Sequence, residues 1–347
     1  MNALLKFGEV LKDSVKYRYF LARPNILILF VTSVCNFKCD TCFNWKNINN
    51  GTADLSLEEI NKVSNNMRNI KSLLLSGGEP FIRNDLVDII KIFYENNNTR
   101  TIQIPTNGFF TDTIIKKVGI ILKTMTNLNV NIGISLDALG EKHDQITRTE
   151  NAFNNAIQTK MKLAILEKKY TTLKSNFLTV ISNQNINDIE SLFNYINNNF
   201  GFENIAFFPI RGDHFSKNLH EPSYDEWNDV CRLYKNLASD RTFGLKQSII
   251  NRKIDFLNKL YLNLLKSKYI CGLKCSAGSN ICVIDANGNV RACELKSPLA
   301  NLRDHEYDIA KILNKRQTNK CGCTHTCFIN ASLDISPIKF ARSYLNL

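Results

Sequence analysis

From residue 26 to residue 211, short β-branched runs alternate with stretches of helical period, and nothing else in the chain constrains its fold as tightly. Ile26–Val31 reads as a strand. Ser56-Leu-Glu-Glu59 has the capping-box form and starts a helix running toward Arg68. Strand Ser72–Ser76, helix Asn84–Glu95, strand Thr101–Pro105 and helix Thr111–Lys123 follow, then strand Val130–Leu136 and helix Ala152–Lys168. Asn176–Ile181, Ile186–Asn198 and Ile205–Pro209 complete six βα units. Strands separated by helices run parallel, so the pattern predicts an α/β fold with a parallel sheet and helices outside. Functional residues then belong on the loops at the C-terminal ends of the strands.

The rhythm breaks after Arg211. Residues 223–238 and 246–266 read as helices, and Cys271 opens a cysteine-rich segment. Within it, ICVIDANGNVRAC reads as a two-strand hairpin whose turn is carried by Asn287-Gly288. The domain boundary falls between 212 and 270.

A formal charge of +12 raises the question of nucleic acid or anionic lipid, yet Lys and Arg are spread along the chain with no basic block or arm. A solvated basic surface is the favoured reading, and it would suit an acidic electron donor such as a flavodoxin or ferredoxin. Residues 3–21 carry an apolar stripe interrupted by Lys and Arg, which reads as a helix packed on its own domain rather than on a membrane. The runs Asn96–Asn98 and Asn197–Asn199 fall at helix ends and read as compositional. Eleven cysteines without an export signal point to a reducing, cytoplasmic setting, where clustered thiols bind metal.

Cys35, Cys39 and Cys42 follow the first strand and so sit on the first loop of the functional face. Structural zinc wants four ligands, and the first histidine, His143, is far along the chain. Three thiolates suit an iron–sulfur cubane in which one iron stays open for a small molecule. Ser76-Gly77-Gly78-Glu79-Pro80 ends the second strand; paired glycines permit close backbone approach, and Glu79-Pro80 fixes the exit.

CNFKCDTC followed by SGGEP resembles the radical S-adenosylmethionine superfamily, over about residues 26–211. The resemblance implies a partial (β/α)6 TIM-like barrel whose Cys35, Cys39 and Cys42 hold a [4Fe–4S] cluster with S-adenosylmethionine on its unique iron. It also implies that Gly77, Gly78, Glu79 and Pro80 form the ammonium-binding turn. Thr106 and Asn107, with Ser135 and Asp137, match positions that contact ribose and carboxylate in relatives; Asp137 could instead cap the next segment. Arg148 stands where relatives carry an arginine near the carboxylate. Thr41 replaces the aromatic residue common before the third cysteine, which leaves Phe37 or Phe43 as adenine contacts. The implied chemistry is reductive cleavage of the sulfonium and hydrogen abstraction by a 5′-deoxyadenosyl radical.

Cys275-x12-Gly288-x4-Cys293, then Cys321, Cys323 and Cys327, form a second constellation, whose geometry alone leaves iron–sulfur and zinc open. Its first half resembles the twitch/SPASM extension of the same superfamily, which implies an auxiliary [4Fe–4S] cluster. Cys275 and Cys293 with two of Cys321, Cys323 and Cys327 would complete one site, and five cysteines in the pattern favour the single-cluster twitch form. Cys231, Cys271 and Cys282 read as bystanders; His325 could ligate or donate to a sulfur, with fixing the loop the favoured reading. The chain thus divides into an N-terminal helix (1–25), a barrel (26–212), a helical connector (213–268) and a small cysteine-rich hairpin-plus-helix domain (269–347).

An auxiliary acceptor implies net two-electron oxidation, here of a small hydroxylated metabolite such as a sugar or aminocyclitol, by a monomer. The alternative is crosslinking of a ribosomal peptide, disfavoured because only 25 residues precede the first strand. A metal- or nucleic-acid-binding scaffold would leave SGGEP unexplained. Arg211, at the end of the sixth strand, is a candidate for binding substrate or for an ion pair; Asp213 and His214 are candidates for proton removal.

Overall fold

The computed structural model describes residues 24–239, 245–267, 275–313 and 325–336. Strands β1 (Ile26–Thr32), β2 (Ser72–Gly77), β3 (Thr101–Thr106), β4 (Asn129–Ser135), β5 (Leu173–Ile181) and β6 (Ile205–Pro209) lie side by side in chain order, all parallel. Between them run α1 (Leu57–Asn65), α2 (Leu86–Asn96), α3 (Thr111–Thr124), α4 (Gly140–Thr147), α5 (Ala152–Lys169) and α6 (Ile189–Phe200). This is the partial TIM-like barrel that the alternation and the resemblance imply.

Local chemistry explains most boundaries. Ser56 and Glu59 close the capping box reciprocally, at 2.9 and 3.1 Å. Gly201, at φ +97°, ends α6 where a side chain would strain the backbone. α1 stops at Asn65, short of Arg68, because fully buried Asn97 takes over the carbonyls beyond it. Its amide donates to Ser64, Met67 and Arg68 oxygens at 3.0–3.3 Å, and its Oδ1 accepts from the Ser64 hydroxyl. That member of an asparagine run is therefore structural. Asn97→Ala is expected to cost about 2–4 kcal/mol by orphaning buried polar groups, read as a fall in melting temperature.

The sequence reading missed α4, since GEKHDQIT carries little apolar periodicity. α7 (Tyr224–Ser239) and α8 (Leu245–Ser267) follow β6 as expected. The hairpin also forms, from β7 (Ile281–Ile284) and β8 (Asn289–Arg291), with short β9 (Ala300–Asn301) beyond. Its turn, which includes Asn287-Gly288, spans residues 285–288. Gly288 donates back to Asp285 at 2.9 Å, and Gly288, at φ +88°, is the left-handed residue of a four-residue loop. β7 also pairs in parallel with β1, Ile26 opposite Ile281 through Leu29 opposite Ile284, so the hairpin prolongs the barrel sheet.

Alternation along β1 serves two cores. Leu27, Leu29 and Val31 pack with the helices, whereas Ile28 and Phe30 join Ile281, Val283 and Phe328 on the opposite face. Phe328 belongs to α10 (Thr326–Leu333); α9 (Ile309–Ile312) precedes it. Almost all of the expected N-terminal helix lies outside the described residues. Among those described, no helix is long and apolar enough to cross a membrane.

Candidate active site

The loop leaving β1 carries Cys35, Cys39 and Cys42, each half-buried. The Cys35 backbone is clamped by Asn49, whose Oδ1 accepts from Cys35 N at 3.0 Å and whose Nδ2 donates to Cys35 O at 2.9 Å. Cys42 N donates to Cys39 O at 3.2 Å, closing a tight turn between the second and third thiols. Burial pushes Cys35 up to about 12, and raises Cys39 and Cys42 too. Cys39 also feels both of the other thiols and Asp137, so the three sulfurs are neighbours in a field that disfavours bare thiolates. Iron would reverse that preference.

The double-glycine loop lies directly against this one. Gly78 N donates to Thr32 O at 2.8 Å and Glu79 N to Val34 O at 2.9 Å. A Cβ on Gly78 would stand 2.0 Å from Val34 O, and one on Gly77 2.3 Å from Thr32 O. The close approach these glycines permit is therefore to the cysteine loop itself. Glu79 is buried, and accepts from Phe81 N (3.1 Å), Thr106 Oγ1 (2.8 Å) and Asn107 N (2.8 Å). Burial lifts its carboxyl to about 7 against those donors. Pro80 opens a single 3-10 turn. Asn107 Nδ2 donates to Asn36 Oδ1 at 2.8 Å, which ties the third strand's loop to the cysteine loop. The Glu79 and Thr106 side chains thus brace each other and the Asn107 backbone, while the Asn107 side chain serves the cysteine loop and Phe109 N.

Asp137 follows Ser135, the last residue of β4. It does not cap α4, whose N-cap is Leu139; its Oδ1 accepts from Val180 N on β5 at 2.8 Å. Burial raises it to about 7. His143 Nδ1 accepts from Asp137 N at 3.2 Å, so the ring proton sits on Nε2, which is buried without a hydrogen-bond partner. Burial depresses His143 to about 4. The unfolded imidazole, near 6.5, binds its proton first, so stability is fully present above about 6.5 and is lost as pH falls toward 4. That window is worth on the order of 3 kcal/mol. The melting temperature should fall from pH 7 to 4 in the native chain and fall less over that range in His143→Gln.

Several residues sit differently from the sequence reading. Arg148 pairs with Asp40 at 2.6 Å instead of standing open for a carboxylate. Phe37 is buried edge-on against Phe109, so its ring offers no face to adenine; Phe43 lies under the Arg211 guanidinium, 4.9 Å from its ring. Asp213 is exposed, bound to Lys46 and Lys217, and held at about 2 chiefly by the hydrogen bond from Lys217, which makes it a poor proton acceptor. His214 Nε2 is buried without a hydrogen-bond partner, and burial lowers its pKa.

Cys275, Cys293 and Cys327 share the smaller core with Phe43 and Phe328. Cys271, Cys321 and Cys323 lie outside the described residues. Beside this group, Arg211 reaches Glu294 at 3.5 Å and His325 Nε2 binds the same carboxylate oxygen. Burial would raise Glu294, but His325 and Arg211 hold it below the usual range. Cys231 and Cys282 are buried hydrophobes of the main core.

The donor set suits a cluster better than a single ion. Among the described residues no three Cys, His, Asp or Glu side chains converge as ligands of one metal would. A cubane gives each thiolate its own iron and lets three sulfurs stand apart on one loop. Asn49, Asp40 and Asn36, which shape that loop, were missed from sequence; asparagines and an aspartate beside cysteines carry no distinguishing signal there.

Residues 29–196 match the family model described as Radical SAM superfamily. The chain is 38% identical to the GTP 3′,8-cyclase of Pectobacterium atrosepticum over 104 residues, 28% of this chain and 30% of that protein's length. It is 26% identical to the probable GTP 3′,8-cyclase of Sulfurisphaera tokodaii over 288 residues, 82% of this chain and 83% of that protein. Among solved structures, native anSMEcpe with bound AdoMet and Cp18Cys peptide is similar at TM-score 0.58 and 20% identity, over 90% of this chain and 84% of that one. The last likeness speaks for the fold.

Proposed function

We propose, from the premise that this chain is a radical SAM superfamily enzyme with its family domain at residues 29–196, that it oxidises a small hydroxylated metabolite by abstracting hydrogen from carbon. When bound at Cys35, Cys39 and Cys42, the [4Fe–4S] cluster with S-adenosylmethionine supplies the 5′-deoxyadenosyl radical. The contact that carries the reading is backbone to backbone, between the Gly77-Gly78 turn and the cysteine loop.

The Glu79 side chain already accepts three hydrogen bonds, so the ammonium group of the cofactor falls mainly to main-chain carbonyls of that turn. Ser135 and Asp137, at the end of β4, are assigned to the ribose hydroxyls, Asp137 acting electrostatically on Cys39, the second thiol. Cys275, Cys293 and Cys327, with Cys321 or Cys323, would hold an auxiliary cluster and so provide the acceptor for a second electron. Arg211 supports a polar substrate: its Nε is buried without a partner, and its one carboxylate contact is long. The relatives named for a GTP reaction point to the same class, a hydroxylated and anionic small molecule. A peptide is the second reading, suggested by the peptide-bound neighbour.

The test is anaerobic incubation of the iron-loaded chain with dithionite, S-adenosylmethionine and panels of deuterated nucleotides, aminocyclitols and peptides. Deuterium in 5′-deoxyadenosine with a nucleotide or aminocyclitol supports the proposal. Transfer from peptides alone overturns the substrate class, and no 5′-deoxyadenosine at all overturns the chemistry.

A further inference from the structure

We infer that Asp40 is a positioning residue that sets the spacing of the second and third thiols before any cluster arrives. The inference rests on the reading that Cys35, Cys39 and Cys42 hold the cluster. Asp40 is the second residue of the Cys39–Cys42 turn and is only 8% exposed. Every polar group it owns is taken. Its N–H donates to Ile146 O at 2.9 Å, and its carbonyl accepts from Ser216 N at 3.1 Å. Its Oδ1 accepts from Arg148 Nε at 2.8 Å and from the terminal guanidinium nitrogen at 2.6 Å, and its Oδ2 accepts from Gln184 Nε2 at 3.0 Å.

Those partners come from three different places: the C-terminal part of α4 and the residue after it, the loop after β5 and the loop after β6. A turn tied at both backbone atoms and both carboxylate oxygens cannot rotate about its own axis, so the Cys39 and Cys42 side chains leave it in fixed directions. Arg148 is itself braced. Its guanidinium lies 4.6 Å over the Phe215 ring, and Phe215 meets Trp45 edge-on at 5.7 Å. Asparagine could not replace the carboxylate, because its amide nitrogen would face a donor from either Arg148 or Gln184.

The experiment uses the full chain loaded with iron anaerobically, comparing wild type with Asp40→Asn, Asp40→Ala, Arg148→Ala, Arg148→Lys and the double Asp40→Ala/Arg148→Ala. The readouts are the electron paramagnetic resonance spectrum of the reduced cluster with and without S-adenosylmethionine, the dissociation constant for S-adenosylmethionine, and the melting temperature. Asp40→Ala is expected to weaken that affinity about tenfold and to broaden the cofactor-induced spectral shift. Arg148→Ala should follow it, the double variant should be no worse than the worse single, and Arg148→Lys should recover part of the loss. An unchanged spectrum and affinity in Asp40→Ala overturns the inference, as does a change in melting alone or strict additivity in the double variant. If Asp40→Ala does not fold, Arg148→Ala and Gln184→Ala decide, and indifference of both overturns it. A wild-type chain without a cluster that responds to S-adenosylmethionine overturns the proposed function as well.

Discussion

Alanine at position 78 is expected to produce a chain that binds little iron and makes no detectable 5′-deoxyadenosine. The added methyl would sit 2.0 Å from Val34 O, 2.5 Å from Val34 C and 3.0 Å from Cys35 N. All three are backbone atoms, so no rotamer change can relieve the overlap; the two loops must part. Overpacking against backbone costs on the order of 3 kcal/mol. Here it would also break the hydrogen bonds from Gly78 N and Glu79 N that hold the cysteine loop in place. Gly119, inside α3, is the matched control, because a Cβ there meets nothing within 4 Å. Gly119→Ala should raise stability by about 0.5–1 kcal/mol through helix propensity, with iron content and activity intact. Iron per chain, melting temperature and 5′-deoxyadenosine yield read both variants. A Gly78→Ala chain with native iron and yield would refute the packing account of this loop.

The glycine pair also illustrates how far the sequence could be read. Period and capping made the barrel legible, because each signal is local: Ser56 and Glu59 are three residues apart, and β6 has the boundaries its β-branched and aromatic run suggests. The cysteine spacing and SGGEP were legible for the same reason. What stayed hidden depends on partners distant in the chain. Arg148 stood where relatives carry an arginine near the carboxylate, and its commitment to Asp40 runs across 108 positions. Asn97 looked compositional, yet it closes the end of α1 from 33 residues away. The glycines were recognised for close approach, but the approaching group is Val34, which only the adjacency of β1 and β2 could reveal. The hairpin was found from Asn287-Gly288, while its pairing beside β1 had no local signature.

Cys39→Ser is expected to abolish cleavage of S-adenosylmethionine and to remove the iron of the first site while leaving any iron held by the second cysteine group. Cys39 lies at the centre of the trio electrostatically, since Cys35, Cys42 and Asp137 all act on its thiol. A serine hydroxyl is isosteric but a hard donor, and in this acidic, partly desolvated place it would stay protonated; it cannot replace a thiolate on iron. Loss of iron must be separated from loss of fold, and two other cysteines do that. Cys231, 4% exposed on α7, and fully buried Cys282, in β7, both pack in the main core. Serine at either position buries a hydroxyl where only a small hydrophobe fits, so both variants should melt earlier yet keep their iron and their 5′-deoxyadenosine yield. Cys39→Ser should do the reverse, melting near wild type as the iron-free chain and giving no product. If instead Cys39→Ser retained full iron and turnover, the three thiols of this loop would not be the cluster's ligands.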